Sequence, residues 1–144
     1  MVTSEIKEKI SREHPYEDAC KLLKIAPVAN YKSYKLSDET RNFIKLETVA
    51  KALNQGWKPD LSKRSTVRYY PWVYVYTNNK ETDKFIGLLY LNSSHGFGGS
   101  TIHMGISLEI QSVELCQYFI EICKKELIIH FTGKDEAERY EFRF

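Results

Sequence analysis

This chain of 144 residues has few cysteines, little net charge and no long apolar run. The three cysteines form no paired spacing, which favours a reducing compartment. The 21 basic and 19 acidic side chains leave a formal charge of only +2, which excludes a strongly electrostatic nucleic-acid packer and a polybasic membrane binder. No apolar run approaches the ~20 residues of a membrane span, and no secretion leader opens the chain. We therefore expect a cytoplasmic protein without membrane contact.

The length fits one domain, whose core folds without disulfides or metal ions. We divide the chain into a helical N-terminal segment with a connector over residues 1–36, a core over residues 37–126 and a C-terminal tail over residues 127–144. The sequence of the tail is compatible with more than one structure. Residues 127–131 either continue a helix or form a strand, and residues 139–144 alternate as an edge strand does.

Two amphipathic helices are predicted for the core, over residues 38–55 and 113–126. In the first, apolar residues recur at steps of three and four, which defines one buried face made of Phe43, Leu46, Ala50 and Leu53. Ser37 and Ser112 suit the two N-caps, because their hydroxyl oxygens can accept from free backbone amides. Gly56 supplies the left-handed residue that ends the first helix. Phe119 and Cys123 lie on the apolar face of the second.

Residues 68–77, 84–91 and 101–110 are predicted to be strands. Pro71 has no amide hydrogen, so its end of the first strand lies at a sheet edge or a bulge. The third strand alternates between an apolar set and a polar set, which gives the sheet one dry and one wet face; the polar set includes Thr101, His103, Ser107 and Glu109. The fold class predicted is a single α+β domain, with a small antiparallel sheet of three or more strands covered on one face by α-helices.

Three phrases occur in a fixed order: AKALNQGWKPD at residues 50–60, YYPW at residues 69–72 and SVELCQY at residues 112–118. Together they resemble a family of small uncharacterised bacterial and bacteriophage proteins with the motifs ALNxGWxPD, YYPW and SxELxxY. The resemblance covers roughly residues 40–125, and the tail of this chain extends past the usual end of the family. It implies a phage or mobile-element setting, in the bacterial cell, the infected host or the virion. It implies no particular activity, cofactor or catalytic residue.

The aromatic first strand is the most informative candidate surface. Tyr74 and Tyr76 alternate with valines that suit the covered face, so both tyrosines are expected on the wet face. Arg68 would rim this surface and His103 would lie on the wet face of the third strand, which makes these four the candidate binding residues. Trp72 belongs to the same alternating set, but we expect it to be part of the core. The expected partner is another protein or a second copy of the chain.

Catalytic and metal-binding patterns are weak. His130-Phe-Thr132 has the His-x-Thr form of two-histidine phosphoesterases, but the candidate partner His103 lacks a hydroxyl two residues on. The best candidate ligands for a metal ion are His95, His103 and Glu109. The first lies on a predicted loop, and the other two lie on the third predicted strand. We expect no metal site and no cofactor. Cys116 and Cys123 lie on a helix face that should bury them as inert thiols.

We therefore predict a non-enzymatic binding or interaction protein of phage or mobile-element type, with no catalytic residues. Two alternatives stay open. The first is a phosphoesterase or nuclease that uses His103 and His130. The second is a single-stranded nucleic-acid binder, in which the aromatic strand stacks bases while Lys63, Arg64 and Arg68 meet phosphates.

Overall fold

A computed structural model of the chain describes residues 2–60, 62–63, 66–75, 84–92 and 108–144. The described helices are α1 (Thr3–Lys9), α2 (Pro15–Leu23), α3 (Asp38–Asn54), α4 (Val113–Ile122) and α5 (Lys124–Thr132), and short 3-10 turns cover Val28–Asn30 and Ala137–Arg139. The strands are β1 (Val67–Val75), β2 (Lys84–Asn92) and β3 (Glu141–Phe142). The predicted α+β class is confirmed.

Helix α3 begins and ends where the sequence signals place its ends. The backbone N–H of Thr40 donates to Ser37 Oγ at 3.1 Å, which satisfies one free amide of the first turn. At the other end Gln55 (φ 49°) and Gly56 (φ 87°) are both left-handed. The predicted role of Gly56 is confirmed, with the left-handed turn starting one residue earlier.

The predicted second helix is two helices in the structure. Helix α4 has the expected cap, because Leu115 N–H donates to Ser112 Oγ at 3.2 Å. The helical pattern breaks at Cys123 (φ −116°, ψ 21°), and α5 then runs on to the left-handed Gly133. Residues 127–131 are therefore helical, which settles one of the two open questions about the tail. Helix α5 also crosses the predicted boundary between core and tail.

The sheet is mixed and has the order β1-β2-β3. Strands β1 and β2 pair antiparallel from Val67↔Asn92 to Val75↔Lys84. Strand β3 comes from the tail and pairs parallel with β2 through Phe85↔Glu141, as the alternation of residues 139–144 allowed. In the region of the predicted third strand, residues 101–107 lie outside the described residues. Within residues 108–110, Ile110 forms a single bridge to Tyr69, with N···O distances of 2.7 and 2.9 Å.

The inner face of the sheet packs on the helical layer. Ile86 is buried in the core, and Tyr69, Val73 and Leu88 pack against it. Helix α4 lies against both β1 and β2, and α3 lies against α2, α4 and α5. The expected cluster of Leu46, Ala50, Leu53, Phe119 and Cys123 is buried as predicted. The helices therefore cover one face of the sheet. The other face is the candidate binding surface.

Leu53→Ala should lower the free energy of unfolding by about 2–5 kcal/mol, because the side chain is fully buried and its loss leaves a cavity. Lys51→Ala, exposed on the same helix, is the matched control and should change stability by less than about 0.5 kcal/mol. Urea melts measure both. Equal losses for the two variants would show that the core face of α3 is wrongly assigned.

Gly56→Val should destabilise the protein more than Gly56→Asn, by about 1 kcal/mol. A Cβ at Gly56 would meet nothing within 4 Å, so the cost comes from the positive φ and not from a collision. Asparagine tolerates the left-handed region better than a β-branched residue does. Urea melts of the two variants check this, and indistinguishable midpoints would argue against the left-handed end of α3.

Candidate binding surface on the sheet

The outer face of the sheet is defined by the register of β1 and β2, because residues opposite each other share a face. On β1 it carries Arg68, Tyr70 and Trp72, and on β2 it carries Phe85 and Gly87. This face was expected to be the wet one. Instead, Arg68 and Tyr70 are buried and Trp72 is exposed.

Arg68 does not rim an accessible surface, so that prediction is wrong. Its side chain is 2% exposed and lies against Glu109, which is 1% exposed, with Arg68 Nε 3.0 Å from Glu109 Oε2. Glu109 was assigned to the wet side, and this assignment is also wrong. Burial raises the pKa of the Glu109 carboxyl, while the Arg68 guanidinium acts in the opposite direction.

The Arg68–Glu109 ion pair is poorly supported by further hydrogen bonds. The 3.0 Å contact is not aligned as a hydrogen bond. Within the described part of the chain, Arg68 Nη1 and Glu109 Oε1 have no hydrogen-bond partner. Removing two charges from water is costly unless their other polar atoms are satisfied. The pair therefore fixes the position of two segments at some cost in stability.

Asn54, the last residue of α3, holds Glu109 in place. Its Nδ2 donates to the Glu109 carbonyl oxygen at 2.7 Å, and its Oδ1 accepts from Gln111 N–H at 3.1 Å. The side-chain amide thus bonds to the backbone of residues 109 and 111, in the way that a neighbouring strand bonds to a strand edge. Gln111 Nε2 completes the contact by donating to the Asn54 carbonyl oxygen at 3.2 Å. This use of Asn54 in the ALN phrase was missed, because sequence spacing does not show what a helix end contacts.

Trp72 lies in the middle of β1 and is 37% exposed, so the expectation that it is core is wrong. Its ring meets the buried ring of Tyr70 edge to face, with centroids 6.5 Å apart and planes at 73°. This geometry suits the positive edge and negative face of aromatic rings. Tyr70 therefore supports one side of an indole whose other side remains accessible.

The C-terminal tail passes over the outer face beside Trp72. Gly87 lies opposite Trp72, and a Cβ there would collide with the Arg143 carbonyl oxygen. Arg143 N–H donates to Ile86 O at 3.0 Å, and its guanidinium lies 4.5 Å from the centre of the Phe85 ring. Phe85 and Arg143 thus belong to the Trp72 surface, and the backbone of Arg143 covers Gly87. The sequence signal for them was the glycine in a strand, which marks close approach of another backbone.

The remaining candidate residues are only partly described. Tyr74 lies in β1 opposite Phe85 by backbone register, and its side chain is outside the described part. Tyr76 and His103 lie outside the described residues altogether. The tyrosine surface therefore stays a prediction at these three positions. Pro71 lies in β1, whose described pairings are with β2 and, through Tyr69, with Ile110. Its place at a sheet edge or a bulge stays a prediction, since residues 101–107 lie outside the described residues.

His130 lies on α5, where the His-x-Thr arrangement does not present both side chains together. Residues two apart on a helix point in directions roughly 200° apart. Thr132 Oγ1 donates to Ile128 O at 2.7 Å, as a helical threonine often does. His130 itself packs on Phe43, with ring centroids 5.5 Å apart, at a cavity of about 590 Å³ between α3 and α5. Burial lowers its pKa, which favours the neutral imidazole.

The cysteines and possible metal ligands add no reactive centre within the described ranges. Cys20, Cys116 and Cys123 are free and buried, and burial raises the pKa of all three thiols. No three His, Cys, Asp or Glu side chains among the described residues converge as metal ligands would. Two members of the metal trio, His95 and His103, fall outside that part. The described helices include none that is long and apolar enough to cross a membrane.

Comparisons with protein-family models, with curated proteins and with solved structures found no match to this chain. The resemblance to the bacterial and bacteriophage family therefore stays a prediction from the three phrases.

Replacing one member of the buried ion pair should cost far more than replacing both. Arg68→Met and Glu109→Leu should each lower the free energy of unfolding by about 3–5 kcal/mol, because each leaves the other charge buried and unpaired. The double variant should be close to wild type or more stable. A double-mutant cycle by urea denaturation measures this coupling.

The exposed Lys125–Asp135 pair is the control for this cycle, since its two side chains are mostly exposed at a separation of 3.6 Å. Lys125→Met and Asp135→Leu should couple by less than about 1 kcal/mol. Additive losses in the Arg68/Glu109 cycle would contradict a buried, mutually dependent pair.

Proposed function

We propose that this chain is a non-enzymatic binding protein that contacts another protein, or a second copy of itself, through the Trp72 surface. That surface consists of Trp72, Phe85 and Arg143. The observation that carries the proposal is the exposed indole of Trp72 in the middle of β1, on a face where Arg68 and Tyr70 are buried.

The composition of the surface fits protein recognition. Tryptophan and arginine dominate binding hot spots, because they combine a large contact area with polar groups. Trp72 is held from one side by Tyr70, so little side-chain freedom would be lost on binding. Arg143 is held over the Phe85 ring in the same way. Both anchors are thus arranged before a partner arrives.

Phosphate recognition fits this surface less well. The nucleic-acid alternative relied on Arg68 beside the aromatic strand, and Arg68 is paired with Glu109 in the interior. Lys63 is exposed but lies 3.8 Å from Asp60, which offsets its charge. The enzyme alternative needs His130 to face a second histidine, and no described residue supplies one beside it.

We assign the protein to the cytoplasm of a bacterial cell or phage-infected host, or to the virion. The support is the presence of three free, buried cysteines, which is typical of reducing compartments, together with the three phrases that resemble phage and mobile-element proteins.

Trp72→Ala should weaken the contact by about 2 kcal/mol or more, roughly 30-fold in affinity, and should leave the fold intact because the side chain is partly exposed. Sedimentation velocity over a concentration series measures self-association. Quantitative capture from a bacterial lysate compares the partners retained by the wild type and the variant. Thermal melting establishes that the variant is folded.

Val113→Ala is the matched control, because Val113 is a similarly exposed apolar residue at the start of α4, away from the outer face. It should change neither self-association nor captured partners. The proposal is wrong if Trp72→Ala is folded and behaves like Val113→Ala in both assays.

A further inference from the structure

The connector between α2 and α3 carries a basic and aromatic surface that the Trp72 proposal does not use. We propose that this connector binds single-stranded nucleic acid, with Tyr31 and Tyr34 stacking on bases and Lys32 and Lys35 contacting phosphates. The inference is independent of the proposed function, since it rests on different residues in a different part of the chain.

The two tyrosines form an exposed stack. Their ring centroids are 5.7 Å apart with planes at 29°, and the residues are 38% and 48% exposed. Each ring uses one face for the other and leaves further surface to solvent. A base that stacks on the free face of either ring would extend an existing column, which is how proteins hold single strands without reading their sequence.

The connector sequence itself carries only positive charge although the whole chain is nearly neutral. From Ala19 to Ser37 the sequence contains no aspartate or glutamate, while four lysines occur, at positions 21, 24, 32 and 35. Lys32 and Lys35 are exposed, and each directly follows a tyrosine. In the sequence Tyr-Lys-Ser-Tyr-Lys, each tyrosine ring is followed directly by one lysine ammonium group. This order matches the one base and one phosphate of each nucleotide.

Arg41 of α3 holds the connector in this shape. Its guanidinium donates to the carbonyl oxygens of Ala29 at 2.9 Å and Tyr31 at 3.0 Å, and also to the Tyr34 carbonyl oxygen. One planar side chain thus fixes the backbone of both tyrosines. Because its donors are engaged by carbonyl groups, Arg41 acts as a positioning residue for the stack.

Helix α2 anchors the other side of the connector. The buried hydroxyl of Tyr16 accepts from Ala29 N–H at 3.1 Å, and Asn30 Nδ2 donates to Glu17 Oε1 at 2.9 Å. These bonds place the 3-10 turn before Tyr31 in a fixed position. A surface ordered in advance loses less conformational entropy on binding, which supports a role in recognition rather than as a loose linker.

Fluorescence anisotropy with a labelled oligothymidylate of about twelve nucleotides tests the proposal on the full chain. Tyr31→Ala and Tyr34→Ala should each weaken binding roughly fivefold to a hundredfold, because each removes a stacking ring. Tyr31→Phe and Tyr34→Phe keep the rings and should bind within about twofold of wild type. A duplex of the same length should bind more weakly than the single strand.

The lysines are tested through salt dependence. Lys32→Gln with Lys35→Gln should reduce the slope of log affinity against log salt by about 1.4, at about 0.7 for each lost phosphate contact to a single strand. The control is Lys9→Gln with Lys134→Gln, which removes the same charge at exposed positions outside the connector. That pair should leave the slope almost unchanged.

Photo-crosslinking of an oligonucleotide containing iodouridine, mapped by mass spectrometry, locates the contact in the wild-type protein and does not depend on any variant folding. Crosslinks at Tyr31 or Tyr34 support the proposal. It is overturned by no binding at about 50 mM salt, by crosslinks only elsewhere, by folded alanine variants that bind like wild type, or by equal binding of duplex. Equal binding of polyglutamate would also overturn it, since it would indicate an acidic protein partner.

Discussion

The contact on which the outer face of the sheet depends is made by one side-chain amide, that of Asn54 at the end of α3. By bonding to the Glu109 carbonyl oxygen and the Gln111 amide, it fixes the segment that follows residue 107 against the helical layer. Ile110 then bridges to Tyr69, and Glu109 comes to lie beside Arg68. Since these contacts bury the Arg68 end of β1, they also decide that the accessible part of the outer face begins at Trp72.

Two arginines that look suited to ligand binding are used inside the protein. Arg68 is buried against a carboxylate, and Arg41 donates to the carbonyl oxygens of the connector. Planar guanidinium groups with several fixed donors are well suited to such roles. What they leave accessible is aromatic: Trp72 on the sheet and the Tyr31–Tyr34 stack on the connector. The Tyr31–Tyr34 stack is therefore positioned by an arginine whose donors are already engaged, whereas Trp72 is supported by the ring of Tyr70.

Local features were predictable because their causes are local. The caps at Ser37 and Ser112, the left-handed Gly56 and the buried face of α3 each follow from a few neighbouring residues. The break at Cys123 was not predictable in this way, since apolar residues continue through it into α5. The exposure of Trp72 was missed because a large apolar ring in an alternating strand is usually buried.

By itself, the sequence determined the α+β class, the long helix α3, the paired strands β1 and β2, and the core cluster around Leu53, because the period of apolar residues fixes which face is buried. Only the tertiary structure decided that Glu109 is buried, that the tail crosses Gly87, and that the tyrosines of the connector stack. Each of these depends on contacts between segments distant in the chain or on the detailed path of the backbone. Periodicity carries no information about such contacts, so the same residues were compatible with several surfaces until the chain was folded.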